Sequence, residues 1–433
     1  MKSSVAKFMI LLCVTVFLAI PVFAGGSAES KGAVAEDGSG LQAKLEYWSS
    51  WSATEPQALV LEKAAKEFNK LNPGVKINFT FNGRDNRYLA ASAIQSGTKI
   101  DMMDANIDNI SALWRDYIAD LTPYYSKAYP STNGKPFIDE LLPSMTKLSL
   151  AMFDGKYVFV PFIPQAFMIF CNKSIFEECG ITNYPKTWDE FLVACESIKK
   201  AGYIPITSDD RYNTSWYGYY VTRLIGDPEV LKMSTDPQAW KNPKVLEAAK
   251  AIENLAKKGY FDPNIASNAY PNGQQGMVIN ENVAMYINGT WLPNEVYNTT
   301  PDGFKWGSFA FPTVPGGVDD QTAGCYSTYG ISINNKTTEK EREAAFAFAV
   351  YVTTVSDQAF ADDAHIVPVN VNSSWPENLL EAREVLLGYT TRYPAQTSLN
   401  LGTNSKQIIL DACQKLMGGL ITAEEFVAQA SKF

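Results

Sequence analysis

An α/β fold shared between two units is the architecture this sequence predicts, on three observations. Residues 43–81 run strand, helix, strand; the same alternation recurs further along; and 433 residues exceed what a single compact core holds.

Residues 43–48 (AKLEYW) read as the first strand. A helix capped by Thr54 and running to Leu71 should follow, with Leu61, Ala64, Ala65, Phe68 and Leu71 on one face and Asn72-Pro73-Gly74 as its stop. Val75, Ile77, Phe79 and Phe81 then alternate with polar residues, the mark of a half-buried strand. A strand, helix and strand so close together form a βαβ unit and imply parallel pairing. Further on, 88–96 reads as helix, 100–103 as a short strand and 110–118 as helix. Asp154-Gly155 makes a tight turn into the apolar stretch 157–170. Thr187-Trp-Asp-Glu190 is a capping box opening a helix with Phe191, Cys195 and Ile198 inward, and helices follow at 244–257, 339–355 and 422–430. The last two also open on Thr-x-x-Glu boxes. No tandem repeat of fixed period is present.

Composition narrows the function. A formal net charge of -9 disfavours nucleic acid or an anionic membrane surface as partner. Lys2 and Lys7 precede the apolar run Phe8–Val22, and Val22-Phe23-Ala24 offers a small-residue cleavage site, so 1–24 reads as an export signal and 25–40 as a flexible leader. Cys13 lies in the middle of the apolar run, not at its end, so no lipid anchor is expected. The expected product is exported, soluble and periplasmic. Cys171, Cys179, Cys195, Cys325 and Cys413 fit no zinc or redox spacing and read as buried thiols with one or two disulfides at most. A single histidine, His365, nearly excludes a His-based triad or His-rich metal site; carboxylate-pair chemistry stays open. No cofactor, metal or catalytic residue is expected.

Ligands in open α/β sheets bind beyond the carboxyl ends of strands, and a small solute with apolar faces and polar edges asks for an aromatic face plus hydrogen-bonding groups. The loop after the first strand supplies Trp51 for the first need and Ser52, Thr54 and Glu55 for the second; Trp48 reads as core. The loop 104–109 offers Asp104, Asn106, Asp108 and Asn109, any of which also suits a helix cap. Gln165 is a polar residue in an apolar stretch and needs partners if buried. Residues 211–217 are dense in stacking and hydrogen-bonding groups; Trp216 is the ligand candidate, with helix packing as its alternative. Trp291 ends the Gly289-Thr290-Trp291 turn after the strand 283–287, and Tyr326 and Tyr329 lie in a Gly-rich stretch. Arg84 and Arg87 read as surface residues, Arg84 worth mutating because it follows a strand.

Six segments in order give the chain a recognisable likeness. They are Phe68-Asn-Lys-Leu-Asn-Pro-Gly74, Gly97-Thr-Lys-Ile-Asp101, Asp154-Gly-Lys-Tyr-Val-Phe-Val-Pro161, Cys171-Asn-Lys-Ser-Ile-Phe176, Pro185-Lys-Thr-Trp-Asp-Glu-Phe191 and Ala284-Met-Tyr-Ile-Asn-Gly-Thr-Trp291, followed by 307–317. On these the chain resembles the bacterial extracellular solute-binding proteins of family 1, the sugar-binding subunits of ABC importers that include maltose-binding protein. Ile100 departs from the usual Pro and Cys171 from a common aromatic, both in strands. The resemblance implies the two-lobed periplasmic-binding-protein fold of the second type, with chain crossings between lobes near 163–168, 311–317 and 352–357. Lobe 1 is then expected at 41–164 plus 312–355 and lobe 2 at 165–311 plus 356–433. It also implies that the 104–109 loop lines the cleft, that Gln165 sits at the hinge, and that Trp291 matches the family's stacking tryptophan. The function implied is capture of a mono- or oligosaccharide in the inter-lobe cleft of a monomer that touches the membrane only through the permease subunits to which it delivers the ligand. Rival readings are a non-sugar solute such as a polyamine or peptide, a sensor-coupled binding lobe, and a secreted glycoside hydrolase.

Overall fold

The computed structural model describes residues 40–394 and 396–433. The expected export signal and all but the last residue of the leader lie outside them. Nine strands form one sheet: β1 (Ala43–Ser49), β2 (Val75–Phe81), β3 (Met102–Asn106), β4 (Val160–Asn172), β5 (Ile204–Thr207), β6 (Val283–Gly289), β7 (Trp306–Phe309), β8 (Ala323–Ile333) and β9 (Thr391–Tyr393). The order is β2-β1-β3-β8-β4-β6-β5, with β7 on β4 and β9 on β8.

The first βαβ unit forms as its periodicities require. β1 and β2 pair in parallel from Ala43 opposite Val75 to Ser49 opposite Phe81, and the intervening helix Pro56–Leu71 buries Leu61, Ala64, Ala65 and Phe68. Its cap is Glu55 rather than Thr54, because Pro56 supplies the fixed φ of the first turn. The three Thr-x-x-Glu boxes at Thr187, Thr338 and Thr422 all close reciprocally. The strand expected at 100–103 begins two residues later and runs to Asn106, which places Asp104 and Asn106 in β3 and not in a loop.

Two long strands join the halves of the sheet. β4 pairs with β8 over Val160–Phe167, then with β6 from Phe167 and β7 from Ile169. β8 pairs with β4 along most of its length and ends against β3, Tyr329 opposite Asn106. The stretch 163–168 thus lies where β4 changes partners. Residues 311–317 do not span the halves: Thr313 bridges to Thr187, and the carbonyls of Phe311 and Pro312 accept from the buried Arg223. Gly330 lets β8 pass Phe159, whose ring lies where a Cβ would sit. Residues 357–370 stay with the first half, since buried Asp357 accepts from the N–H groups of Val369 and Asn370 and Leu141 bridges to Asn370. All five cysteines of the described residues are free thiols, four of them buried.

Candidate functional site

The ends of β1, β3, β5 and β6 converge on the central ribbon of β4 and β8. From the first half come Trp51 and Arg84. Trp51 is 3% exposed; its ring centroid lies 4.7 Å from that of Tyr329, and the Arg84 guanidinium sits 4.3 Å over it. Arg84 is anchored by the Glu55 carboxylate, its Nη2 donating at 2.7 Å and its Nη1 at 3.1 Å, and by the Ser50 carbonyl. Glu55 also accepts from the Ser52 N–H. The indole expected to stack on a ligand is therefore covered by a guanidinium, and the carboxylate expected to bind hydroxyls is committed to holding that guanidinium.

Asp104 is fully buried. Its carboxylate accepts from the Ser50 N–H at 2.9 Å, while its carbonyl accepts from Ser50 Oγ and from Asn86 Nδ2. Burial pushes its pKa up to about 6, against the hydrogen bonds from Ser49, Ser50 and Tyr47 that favour the anion. The residue ties β1 to β3 from inside. This corrects the loop reading: one strand position sends Asp104 into the core.

Asn106 remains at the surface of the ribbon, half-buried. Its Nδ2 donates to Gln165 Oε1 at 3.0 Å, and its Oδ1 accepts from Ser327 Oγ and, as a helix cap, from the Asp108 N–H. Gln165 stands opposite Ser327 on β4 and β8. The two candidate amides thus meet where the halves join. Next to them Asp108 accepts from Arg392 Nη2 at 2.6 Å, and Arg392 Nε donates to the Tyr326 carbonyl. Tyr326 is buried beside Tyr389, ring centroids 6.1 Å apart.

From the second half, Trp291 is partly exposed at the end of β6. Its indole lies flat on Gly289: a Cβ there would fall 2.1 Å from Trp291 Cζ3. Its Nε1 donates to Tyr212 Oη at 3.3 Å, and its ring centroid lies 5.9 Å from Phe167. Tyr212 adjoins Tyr270, over which Arg211 lies at 4.9 Å. Burial raises the Glu295 pKa, while the Arg84 charge lowers it, so these two groups from opposite halves act on one another. The halves also touch where Asn294 Nδ2 donates to the Ala364 carbonyl and Tyr297 stacks on His365, ring centroids 4.2 Å apart.

Trp216 belongs elsewhere. It is 0% exposed on the helix Thr214–Ile225 and packs against Phe191 and Phe311, ring centroids 5.5 and 6.0 Å away. Its apolar bulk fills the core beneath the helix, which corrects its reading as a ligand group. Sequence reasoning passed over Tyr212, Tyr270, Glu295 and Arg392. Only Tyr212 carried a signal, lying five residues beyond the end of β5.

Comparison with known proteins matches this arrangement. The bacterial extracellular solute-binding protein family matches residues 51–359. A binding protein of Brucella abortus (strain 2308) is 26% identical over 317 residues, covering 71% of this chain and 72% of that one. The multiple sugar-binding protein of Streptococcus mutans is 26% identical over 304 residues, 68% of each chain. Among solved structures, a chitin oligosaccharide binding protein superposes with a TM-score of 0.68 at 20% identity, covering 90% of this chain and 98% of its own. The shared fold is that of two-lobed substrate-binding proteins.

Proposed function

Since this chain belongs to the bacterial extracellular solute-binding protein family, we propose that it is the substrate-binding component of an ABC importer and holds a mono- or oligosaccharide between its two lobes. We place lobe 1 at 41–164 plus 329–372 and lobe 2 at 165–328 plus 373–433, following the strand pairings and the packing of 357–370. The observation that carries the reading is the Trp291 indole laid on Gly289 and tied at its edge to Tyr212. A planar apolar face held in one orientation, next to amides and hydroxyls at the hinge, suits a molecule with C–H faces and peripheral hydroxyls.

Trp291, Tyr212 and Tyr270 would stack and frame the ligand, and Asn106 and Gln165 would exchange their mutual hydrogen bond for bonds to hydroxyls. Trp51, Glu55 and Tyr326 act through Arg84 and Arg392; Asp104 and Trp216 hold the scaffold. Closure follows as a population shift, because a ligand touching both lobes favours the closed state by its differential affinity. The permease would then read the closed form.

The protein works as a periplasmic monomer, released by cleavage after Ala24 and without a lipid anchor, and turns over no substrate. A polyamine is disfavoured because Glu55 and Asp108 are spent on Arg84 and Arg392. The same commitment removes them as a hydrolase's carboxylate pair. A thermal-shift screen against mono- and oligosaccharides tests the reading, since ligand raises the melting temperature by mass action. A concentration-dependent rise with a saccharide supports it. A rise with polyamines or peptides and none with any saccharide refutes it.

A further inference from the structure

One short turn carries both the Trp291 ring and a grip on the opposite lobe. The helix Leu292–Glu295 follows Trp291 directly, and Tyr297–Thr299 continues it after Val296. Leu292 and Val296, four residues apart, share the face turned into the second lobe and are 0% and 1% exposed. The Glu295 N–H donates to the Trp291 carbonyl and the Val296 N–H to that of Leu292, at 3.0 and 3.2 Å. The hydroxyls of Thr299 and Thr300 both donate to the Val296 carbonyl. The turn is thereby fixed to its own lobe. Asn294 and Tyr297, three residues apart, leave from another face and meet the first lobe. Asn294 Nδ2 donates to the Ala364 carbonyl, and the Tyr297 ring lies on His365 with centroids 4.2 Å apart and planes 18° from parallel.

The receiving surface is held as firmly. The Asp363 N–H donates to the Ala359 carbonyl at 2.9 Å and the Ile366 N–H to that of Phe360 at 3.0 Å, both in the helix Asp357–Asp362. Asp357 accepts from Val369 and Asn370 just beyond. Between these anchors His365 has a φ of 52°, in the left-handed region that a non-glycine residue seldom occupies. Strain of this kind persists where the surroundings over-determine it, and it concentrates at ligand clamps and switches. The chain's only histidine thus meets a tyrosine that is itself 52% exposed. So open a ring contact adds little to either core; what it does is join the lobes.

We propose that Asn294, Tyr297 and His365 are positioning residues that form a latch between the lobes. Acting through the turn that carries Trp291, they slow the release of a molecule stacked on that indole. The latch rests on the two-lobed saccharide reading above and adds its release step. Both contacts exist only while the lobes meet, so they favour the closed state by population shift. Their loss therefore falls on the dissociation rate and leaves association alone.

The single histidine makes the latch observable without a ligand. Carbethoxylation by diethyl pyrocarbonate, in the full exported chain without a histidine tag, reads how often His365 is uncovered. In Asn294→Ala, which leaves both rings in place, modification should run about fivefold faster, the effect of one hydrogen bond lost from the closed state. The melting temperature should stay that of the wild type. The saccharide with the largest thermal shift should slow modification in the wild type, and should leave Asn294→Ala about fivefold faster at an unchanged association rate. Equal modification rates in the wild type and Asn294→Ala overturn the latch. Faster modification with an unchanged dissociation rate overturns it too, as does faster modification with a lower melting temperature, the mark of a packing role alone. Binding of no saccharide refutes the saccharide reading, and the His365 rates then decide the latch by themselves.

Discussion

Arg392 donates to Asp108 across the two lobes at 2.6 Å, with side chains only 16% and 19% exposed. Arg392 also holds the Tyr326 carbonyl, so one guanidinium clips the end of β3 to both the ribbon and the second lobe. Losing one partner of a half-buried pair costs more than losing a surface pair, about 1–3 kcal/mol here. Arg392→Gln should lower urea-unfolding stability by that amount, with a smaller difference at high salt. Equal stability in both salts would remove the clip from the account.

Gly289 is required because the Trp291 ring lies on its backbone. Gly289→Ala must push the indole off its seat. Saccharide affinity measured by calorimetry should fall about as far as in Trp291→Ala, by about 1–3 kcal/mol, the scale of a planar group stacking on an aromatic face. Unchanged affinity in both folded variants would take the ring out of the site.

Trp216 fills the space between Phe191 and Phe311. Trp216→Ala should cost about 3–5 kcal/mol of stability through transfer and cavity terms. At a temperature where the variant stays folded, its saccharide affinity should match the wild type. A stable variant that binds poorly would return Trp216 to the ligand.

Asp357 and Asp104 give the stability a pH slope of defined sign. Burial raises each pKa to about 6, above the unfolded carboxylate value of about 4. Between those values the folded state holds a proton the unfolded chain releases, so stability falls as pH rises through the window and levels off above it. Two pKa units correspond to about 2–3 kcal/mol for each group. Glu341 acts oppositely and lower down: Lys99 pulls its pKa to about 2, and its contribution disappears as pH falls below about 4. Melting temperatures between pH 4 and 7 should show Asp357→Asn gaining on the wild type as pH rises to about 6, with a constant difference beyond. Parallel curves over the whole range would show that Asp357 does not titrate in this window.

The elements legible in the sequence are those whose signals are local. The alternation of Val75, Ile77, Phe79 and Phe81 and the boxes at Thr187, Thr338 and Thr422 need only neighbours a few residues away, and each forms as read. β8 was hidden because its glycines resemble loop punctuation, while their use, to pass the rings of Phe159 and Tyr389, depends on distant partners. A two-residue shift in the start of β3 was enough to turn Asp104 from a loop carboxylate into a core anchor. Trp216 and Trp291 carry similar polar and aromatic surroundings in sequence. What separates them is Phe311 above one and Gly289 beneath the other. The pair Asp108–Arg392 spans 284 positions, and no pattern along the chain announces it.

A saccharide should draw the two lobes together against Trp291. Small-angle X-ray scattering of the protein with and without the saccharide that gives the largest thermal shift tests it most directly. A smaller radius of gyration on saturation in the wild type, absent in Trp291→Ala at the same saccharide concentration, is the predicted result. A saccharide that binds stoichiometrically while the radius stays unchanged would contradict it.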